Sequence, residues 1–166
     1  MTLTHLRLGT RSSALAMWQS SWVARQLTEH GYDVELVQIT TQGDVRSEPI
    51  GQIGGQGLFT KEIQRALLDQ EVDLAVHSLK DLPISHLNEL MVAAIPDRED
   101  PSDLLYHPNG VNFSDLLPGS IIGTCSLRRT GQLKNLRNDI IIKDIRGNVE
   151  TRMEKVHSGE YDAIVL

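Results

Sequence analysis

Four polar clusters follow short apolar runs in this chain, each where a strand would give way to a helix. They are Thr10-Arg11-Ser12-Ser13, His77-Ser78-Leu79-Lys80-Asp81, Gly123-Thr124-Cys125-Ser126-Leu127-Arg128-Arg129 and Ile145-Arg146-Gly147-Asn148-Val149-Glu150-Thr151-Arg152. In open α/β sheets, ligands bind beyond the carboxyl ends of the strands, where helix N-termini also offer free backbone N–H groups to anions. Arg11, Lys80, Arg128, Arg129, Arg146 and Arg152 would then place six positive charges in one cleft. Planar guanidinium groups grip carboxylates and phosphates at two points, so the expected ligand is anionic. The bland alternative is that each arginine covers a sheet edge and pairs with a nearby acid. Several at one topological position favour the cleft.

Asp81 is the odd member, because a carboxylate inside a ring of cations weakens anion binding. The cations would keep it ionised, suited to stabilise a developing cation or to shuttle a proton from a nitrogen. It would equally serve as a turn cap before Pro83, with Lys80 as its partner, and the residues alone leave both readings open. Cys125 lies at a helix start near Arg128 and Arg129, a setting that lowers a thiol pKa, yet a small side chain packed in a tight turn is the plainer reading. His77 reads as a hydrogen-bonded core histidine. No Cys/His spacing suggests a metal site. Gly54-Gly55-Gln56-Gly57 lacks the lysine and hydroxyl that end a phosphate loop and reads as a flexible lid.

The elements that must position these residues alternate between short apolar runs and helical stripes, the order of an α/β fold with a mostly parallel sheet. Leu6-Arg7-Leu8 reads as a strand, and Leu15, Trp18, Trp22, Val23 and Leu27 as the buried face of the helix that follows, ended by Gly31. Residues 34–39 form a second strand, and Phe59, Ile63, Ala66 and Leu67 share one side of the next helix. Further strands are expected at 73–77, 90–95, 120–123 and 140–142. The proline-bounded stretch from Pro96 to Pro118 reads as an interdomain crossing. The expected domains are therefore residues 1–96, a crossing and approach to the second domain over 97–118, and part of a second α/β domain over 119–166. Tyr161 to Leu166 has the apolar run of a buried strand with nothing after it, which predicts a piece of a longer protein.

The chain has 166 residues, with 16 basic against 22 acidic side chains and a net charge of −6. That balance disfavours nucleic acid, since polyphosphate would be repelled unless the positive charges were gathered in one place. The longest apolar runs are too short to span a membrane, and the N-terminus lacks a secretion signal. One cysteine cannot form an internal disulfide, so a reducing cytoplasm fits.

Taken together, the junctions resemble the porphobilinogen deaminase (hydroxymethylbilane synthase) family. The resemblance is carried by Thr10 to Ala16 with Trp18-Gln19, Gly43-Asp44, Gly54 to Glu62, Ala75 to Asp81, Arg98 to Pro101, Gly123-Thr124 with Ser126 to Arg129, Arg146 to Val149 with Thr151-Arg152, and Gly159 to Ala163. It covers nearly the whole chain in the family's order. It implies periplasmic-binding-protein-like (type II) α/β domains, the second incomplete here, plus a small third domain absent from this chain. It implies a monomeric cytoplasmic transferase of tetrapyrrole (porphyrin, haem) biosynthesis that joins four porphobilinogen molecules head to tail and releases ammonia at each step. The family primes growth on a dipyrromethane cofactor, held by thioether to a cysteine of the third domain.

By the same resemblance Asp81 corresponds to the catalytic carboxylate. Arg11, Ser13, Gln19, Lys80, Thr124, Ser126, Arg128, Arg129, Arg146 and Arg152 correspond to positions that grip the acetate and propionate groups of cofactor and substrate. Three positions depart from the pattern: Gln56 and Gln52 stand where lysine is common, and Cys125 where serine is usual. Without the anchoring cysteine, the segment alone is expected to be inactive. A second reading, from another class, is a non-catalytic module of this descent that binds small polyanions, and Asp81 favours the enzyme.

Overall fold

The computed structural model describes residues 4–41, 60–84 and 87–166. The chain divides into two compact units, Met1–Ile95 and Pro96–Leu166. The loop with Gln52 and Gln56, together with Gly43-Asp44 and Phe59, lies outside the described residues.

In the first unit, β1 (Thr4–Thr10), α1 (Ala14–Glu29), β2 (Tyr32–Gln38), α2 (Lys61–Leu68) and β3 (Leu74–Ala75) follow one another. The three strands form one sheet in the order β2-β1-β3. Both ladders are parallel, running from Thr4↔Tyr32 to Thr10↔Gln38 on one side and pairing Leu8↔Leu74 and Gly9↔Ala75 on the other. Burial grows along β1 toward its carboxyl end, where Leu8 and Thr10 are wholly covered. Gly9 is needed there, because a Cβ at that position would lie 3.1 Å from Val72 Cγ2. Ile63 and Ala66, one turn apart on α2, join Leu8 and Val72 in the core.

α1 begins at Ser13, whose Oγ accepts from the Ala16 amide at 3.4 Å. It ends at Gly31, whose φ of +87° is a left-handed stop. The buried member of the helix is Ser20, whose hydroxyl donates to Thr10 Oγ1 at 2.7 Å. That contact corrects the expectation that Trp18 belongs to the core. At about 100° per residue Trp18 lies roughly 200° around the helix from Ser20, which turns the indole away from the sheet. It is 56% exposed.

Two expected strands also differ. β3 spans only Leu74–Ala75, although the Asp73 and Val76 amides donate to Arg7 and Gly9 carbonyls and prolong the ladder at both ends. Residues 90–95 form no strand, and Met91 and Ile95 are 83% and 71% exposed. An apolar run becomes a strand only where a ladder partner waits for it, and none does among the described residues.

The second unit holds β4 (Leu105–Tyr106), β5 (Ile121–Gly123), α3 (Leu127–Leu136), β6 (Ile141–Lys143), α4 (Val149–His157) and β7 (Ala163–Val165). Its sheet runs β4-β7-β5-β6, with β4 antiparallel to β7 and the remaining pairs parallel. The fold is thus α/β with mostly parallel strands. One cluster of buried side chains is built from Leu116, Ile122, Ile140, Ala163 and Val165, and another from Ile145, Val156, Tyr161 and Ile164. Gly123 lets the second close over the end of β5: a Cβ there would sit 3.0 Å from Ile145, Ile164 and Tyr161. Arg137 braces this unit, pairing with Asp139 at 2.7 Å and donating to the Phe113 and Leu116 carbonyls at 2.9 Å each. No helix of the described residues is long and apolar enough to cross a membrane.

Candidate functional site

Apart from Gln19, each sequence-derived site residue lies at the carboxyl end of a strand or the start of the following helix or turn, in two sets that belong to the two units. In the first unit, Arg11 leaves β1 and Ser13 caps α1. Gln19, on the second turn of that helix, accepts through Oε1 from the Ser78 hydroxyl at 3.2 Å. This bond ties the exit of β3 to α1. Lys80 and Asp81 follow in a 3₁₀ turn, Leu79–Asp81, closed by the Asp81 amide donating to the Ser78 carbonyl at 2.9 Å. Lys80 is exposed and Asp81 half-buried.

His77 reports that Arg11 and Asp81 share surroundings. Burial pushes its pKa below the usual 6.5; the Asp81 charge opposes that shift and the Arg11 charge adds to it. The His77 imidazole is thus close enough to both Arg11 and Asp81 to be influenced by their charges.

In the second unit, Thr124 is 2% exposed, and its Oγ1 accepts from the Ser126 amide at 3.2 Å. The Ser126 side chain in turn accepts from the Arg129 amide at 3.4 Å and caps α3. Both hydroxyls are therefore committed to building the turn that carries Arg128 and Arg129. The exposed Cys125 between them donates through Sγ to the Ile145 carbonyl at 2.8 Å, joining the β5 exit to the β6 exit.

Arg146 and Arg152 arrive from that second exit. Gly147, at φ +114°, turns the chain into α4, and Arg152 Nε donates back to the Gly147 carbonyl at 2.8 Å. Burial is the largest cause holding Arg152 below the usual guanidinium range; the like charges of Arg129 and Arg146 act in the same direction, against Cys125. Crowding of like charges around a part-buried guanidinium is costly without an anion. A donor set of several guanidinium groups is chemically suited to a group such as a dipyrromethane that carries several carboxylates.

Asp103 was not among the residues singled out from the sequence. Its carboxylate pairs with Arg128 at 2.9 Å and with Arg129 at 3.0 Å. These arginines hold it well below the ordinary carboxylate range, at about 2. The separation of 25 residues from Arg128 exceeds any local pattern; only the antiparallel seat of β4 beside β7 brings Asp103 there. Among the described residues no group of three or more His, Cys, Asp or Glu could hold a metal ion.

Comparison with known proteins agrees with this chemistry. A family model described as "Porphobilinogen deaminase, dipyromethane cofactor binding domain" matches residues 6–166. A porphobilinogen deaminase of Syntrophotalea carbinolica is 50% identical over 100% of this chain and 54% of its own length. Those of a Nitratiruptor species and of Geobacter sulfurreducens are 49% and 47% identical, over 97% and 100% of this chain and 52% and 53% of theirs. The chain spans about half the length of the curated relatives it matches. Among solved structures, an ancestral arginine-binding protein bound to glutamine aligns with 100% of this chain and 70% of its own at a TM-score of 0.46 and 15% identity. With the family model covering all but the first five residues, this chain belongs to the porphobilinogen deaminase family.

Proposed function

We propose that the chain is the N-terminal portion of a hydroxymethylbilane synthase, which condenses four porphobilinogen molecules head to tail with loss of ammonia. The observation that carries this reading is that Arg129, Arg146 and Arg152 leave the exits of β5 and β6, with Arg129 and Arg146 acting as like charges on the part-buried Arg152 guanidinium, within a chain whose family model is named for its dipyrromethane cofactor. On this reading residues 1–96 and 119–166 belong to two successive α/β domains joined through 97–118. The protein is a cytoplasmic monomer with no nucleic acid or membrane partner.

Arg146 and Arg152, with Arg128 and Arg129, hold carboxylates of cofactor and substrate in the second unit, while Arg11 and Lys80 do so in the first. Ser13, Thr124 and Ser126 fix the helix starts on which those arginines stand, and Gln19 fixes the Ser78 turn. When bound, the dipyrromethane supplies the electron-rich pyrrole that is extended. On this reading the Asp81 carboxylate would meet the pyrrole nitrogens and stabilise the positive charge that develops as ammonia departs from the substrate. The hydrogen-bonded 3₁₀ turn supports that role, because it fixes the backbone from which the carboxylate projects.

Calorimetry of the chain with porphobilinogen tests the binding part: heat is expected, and its loss in the Arg146→Gln, Arg152→Gln double variant. No heat from the parent chain overturns it. Ammonia release tests the chemistry, using the chain joined to the C-terminal half of the Syntrophotalea relative. Asp81→Ala should lower turnover at least a hundredfold, about the weight of one well-placed charge-stabilising group. Undiminished turnover in that variant removes Asp81 from the mechanism.

A further inference from the structure

Asp103 takes up the guanidinium edges with which Arg128 and Arg129 would otherwise meet a ligand. Arg128 donates from Nη1 to Oδ2 at 2.9 Å and from Nη2 to Oδ1 at 3.2 Å, a two-point grip. Arg129 donates from Nε to Oδ1 at 3.1 Å, with Nη2 3.0 Å from the same oxygen. Two further donors are engaged: Arg128 Nη1 also reaches Gln132 Oε1 at 3.1 Å, and Arg129 Nη1 the Val165 carbonyl at 3.1 Å. A carboxylate arriving at either arginine finds its best edge already filled by a carboxylate.

The backbone beside Asp103 is fixed while its side chain is not buried. The Leu104 and Leu166 amides and carbonyls exchange hydrogen bonds at 3.1 and 2.9 Å, which anchors the peptide next to Asp103 at the edge of the sheet. The Asp103 side chain is 30% exposed, so water can solvate it once released. One carboxylate also neutralises only one of two cations, so the pair still attracts anions.

We propose that Asp103 is an internal competitor: its carboxylate stands in for a ligand carboxylate at Arg128 and Arg129, and a polycarboxylate ligand enters by displacing it. This rests on the reading that these two arginines receive ligand carboxylates. It sets specificity as well as affinity. A monocarboxylate offers the arginines only what Asp103 already gives. A ligand with two or more carboxylates gains further contacts at the neighbouring guanidinium cluster and displaces it.

Calorimetry with porphobilinogen, which carries two carboxylates, and with acetate tests the exchange. Asp103→Asn and Asp103→Ala are each expected to bind porphobilinogen about three- to tenfold more tightly than the parent, the scale of two lost surface ion pairs. They should also acquire measurable acetate binding. Glu154→Gln makes the same change in net charge at an exposed position of α4 and should leave both affinities unaltered. The ¹³C carboxyl resonance of Asp103 in the unmutated chain should shift as porphobilinogen saturates it, a readout independent of how the variants fold. Parent-like or weaker binding by both Asp103 variants, or an unmoved resonance at saturation, overturns the proposal while leaving the arginine reading in place. If the Arg128→Gln, Arg129→Gln double variant binds like the parent, the arginine reading fails and takes the proposal with it.

Discussion

Arg152 Nε and the Gly147 carbonyl are joined by a 2.8 Å hydrogen bond, so the turn that starts α4 also holds one of its candidate ligand-binding side chains. The turn depends on Gly147 having no side chain. Its φ is +114°, and a Cβ would lie 2.8 Å from Thr151 Cγ2 and 2.9 Å from Thr151 Cβ. Gly147→Ala is expected to destabilise the second unit by about 1–3 kcal/mol, the usual cost of a side chain in such a backbone region. It should also weaken porphobilinogen binding through the displaced carbonyl. Urea unfolding followed by circular dichroism measures the first effect, and a parent-like midpoint would show that the turn is not under constraint.

Two histidines should titrate on opposite sides of the ordinary value. His77 lies below 6.5 because it is desolvated, with Arg11 pushing it further down and Asp81 resisting. His5 lies above 6.5 because it bonds to Asp33 at 2.7 Å, with Glu35 adding to the rise. The linkage signs differ. As pH falls below 6.5 the unfolded chain protonates at His77 before the folded chain does, so that group costs stability. The His5 contribution is complete below 6.5 and disappears as pH rises through its folded value. Imidazole proton resonances followed from pH 8 to 5 should separate the two, and a single shared midpoint would contradict both assignments.

Acid should weaken the first unit through Asp73. Its carboxylate accepts from the Arg7 side chain at 2.8 Å and from the Arg7 backbone amide at 2.8 Å, which holds it at about 2 against an ordinary 3.8. The stabilisation is complete above 3.8 and is lost as pH falls toward 2. Asp73→Asn should therefore lower the melting temperature at pH 5 and flatten its decline between pH 4 and 2. A variant that melts like the parent at pH 5 would show that the Asp73–Arg7 pair contributes nothing.

The strand-to-helix junctions were legible in the sequence because their physics is local. Ser13 and Ser126 stand where a hydroxyl must cap a helix, and Gly31 where the chain must enter a left-handed turn, and each does so. The parallel ladders followed from strand–helix alternation. Residues 90–95 were misread because an apolar run says nothing about whether a neighbouring edge exists. Trp18 was misread because helical periodicity gives a stripe without saying which side of it meets the sheet, and the buried Ser20 decides that. Asp103 was invisible for a third reason, since its partners come from chain topology and not from spacing. Both sets of candidate ligand-binding residues stand at the junctions that the pattern marked, whereas the acid that occupies two of them does not.

The Ser20–Thr10 hydroxyl contact, 2.7 Å long and fully buried, has a consequence for how this sequence can drift. Aliphatic neighbours tolerate sliding, but a hydroxyl buried against a hydroxyl satisfies its donor at only one rotation of the helix on the strand. Losing Thr10 strands the Ser20 donor without water, whereas Thr10 Oγ1 also reaches the Arg11 and Ala16 carbonyls at 3.1 and 3.3 Å; exchanging both for apolar groups of similar shape is close to neutral. Position 10 and position 20 should consequently change in concert among descendants of this gene, preserving the angle at which Arg11 emerges from the sheet.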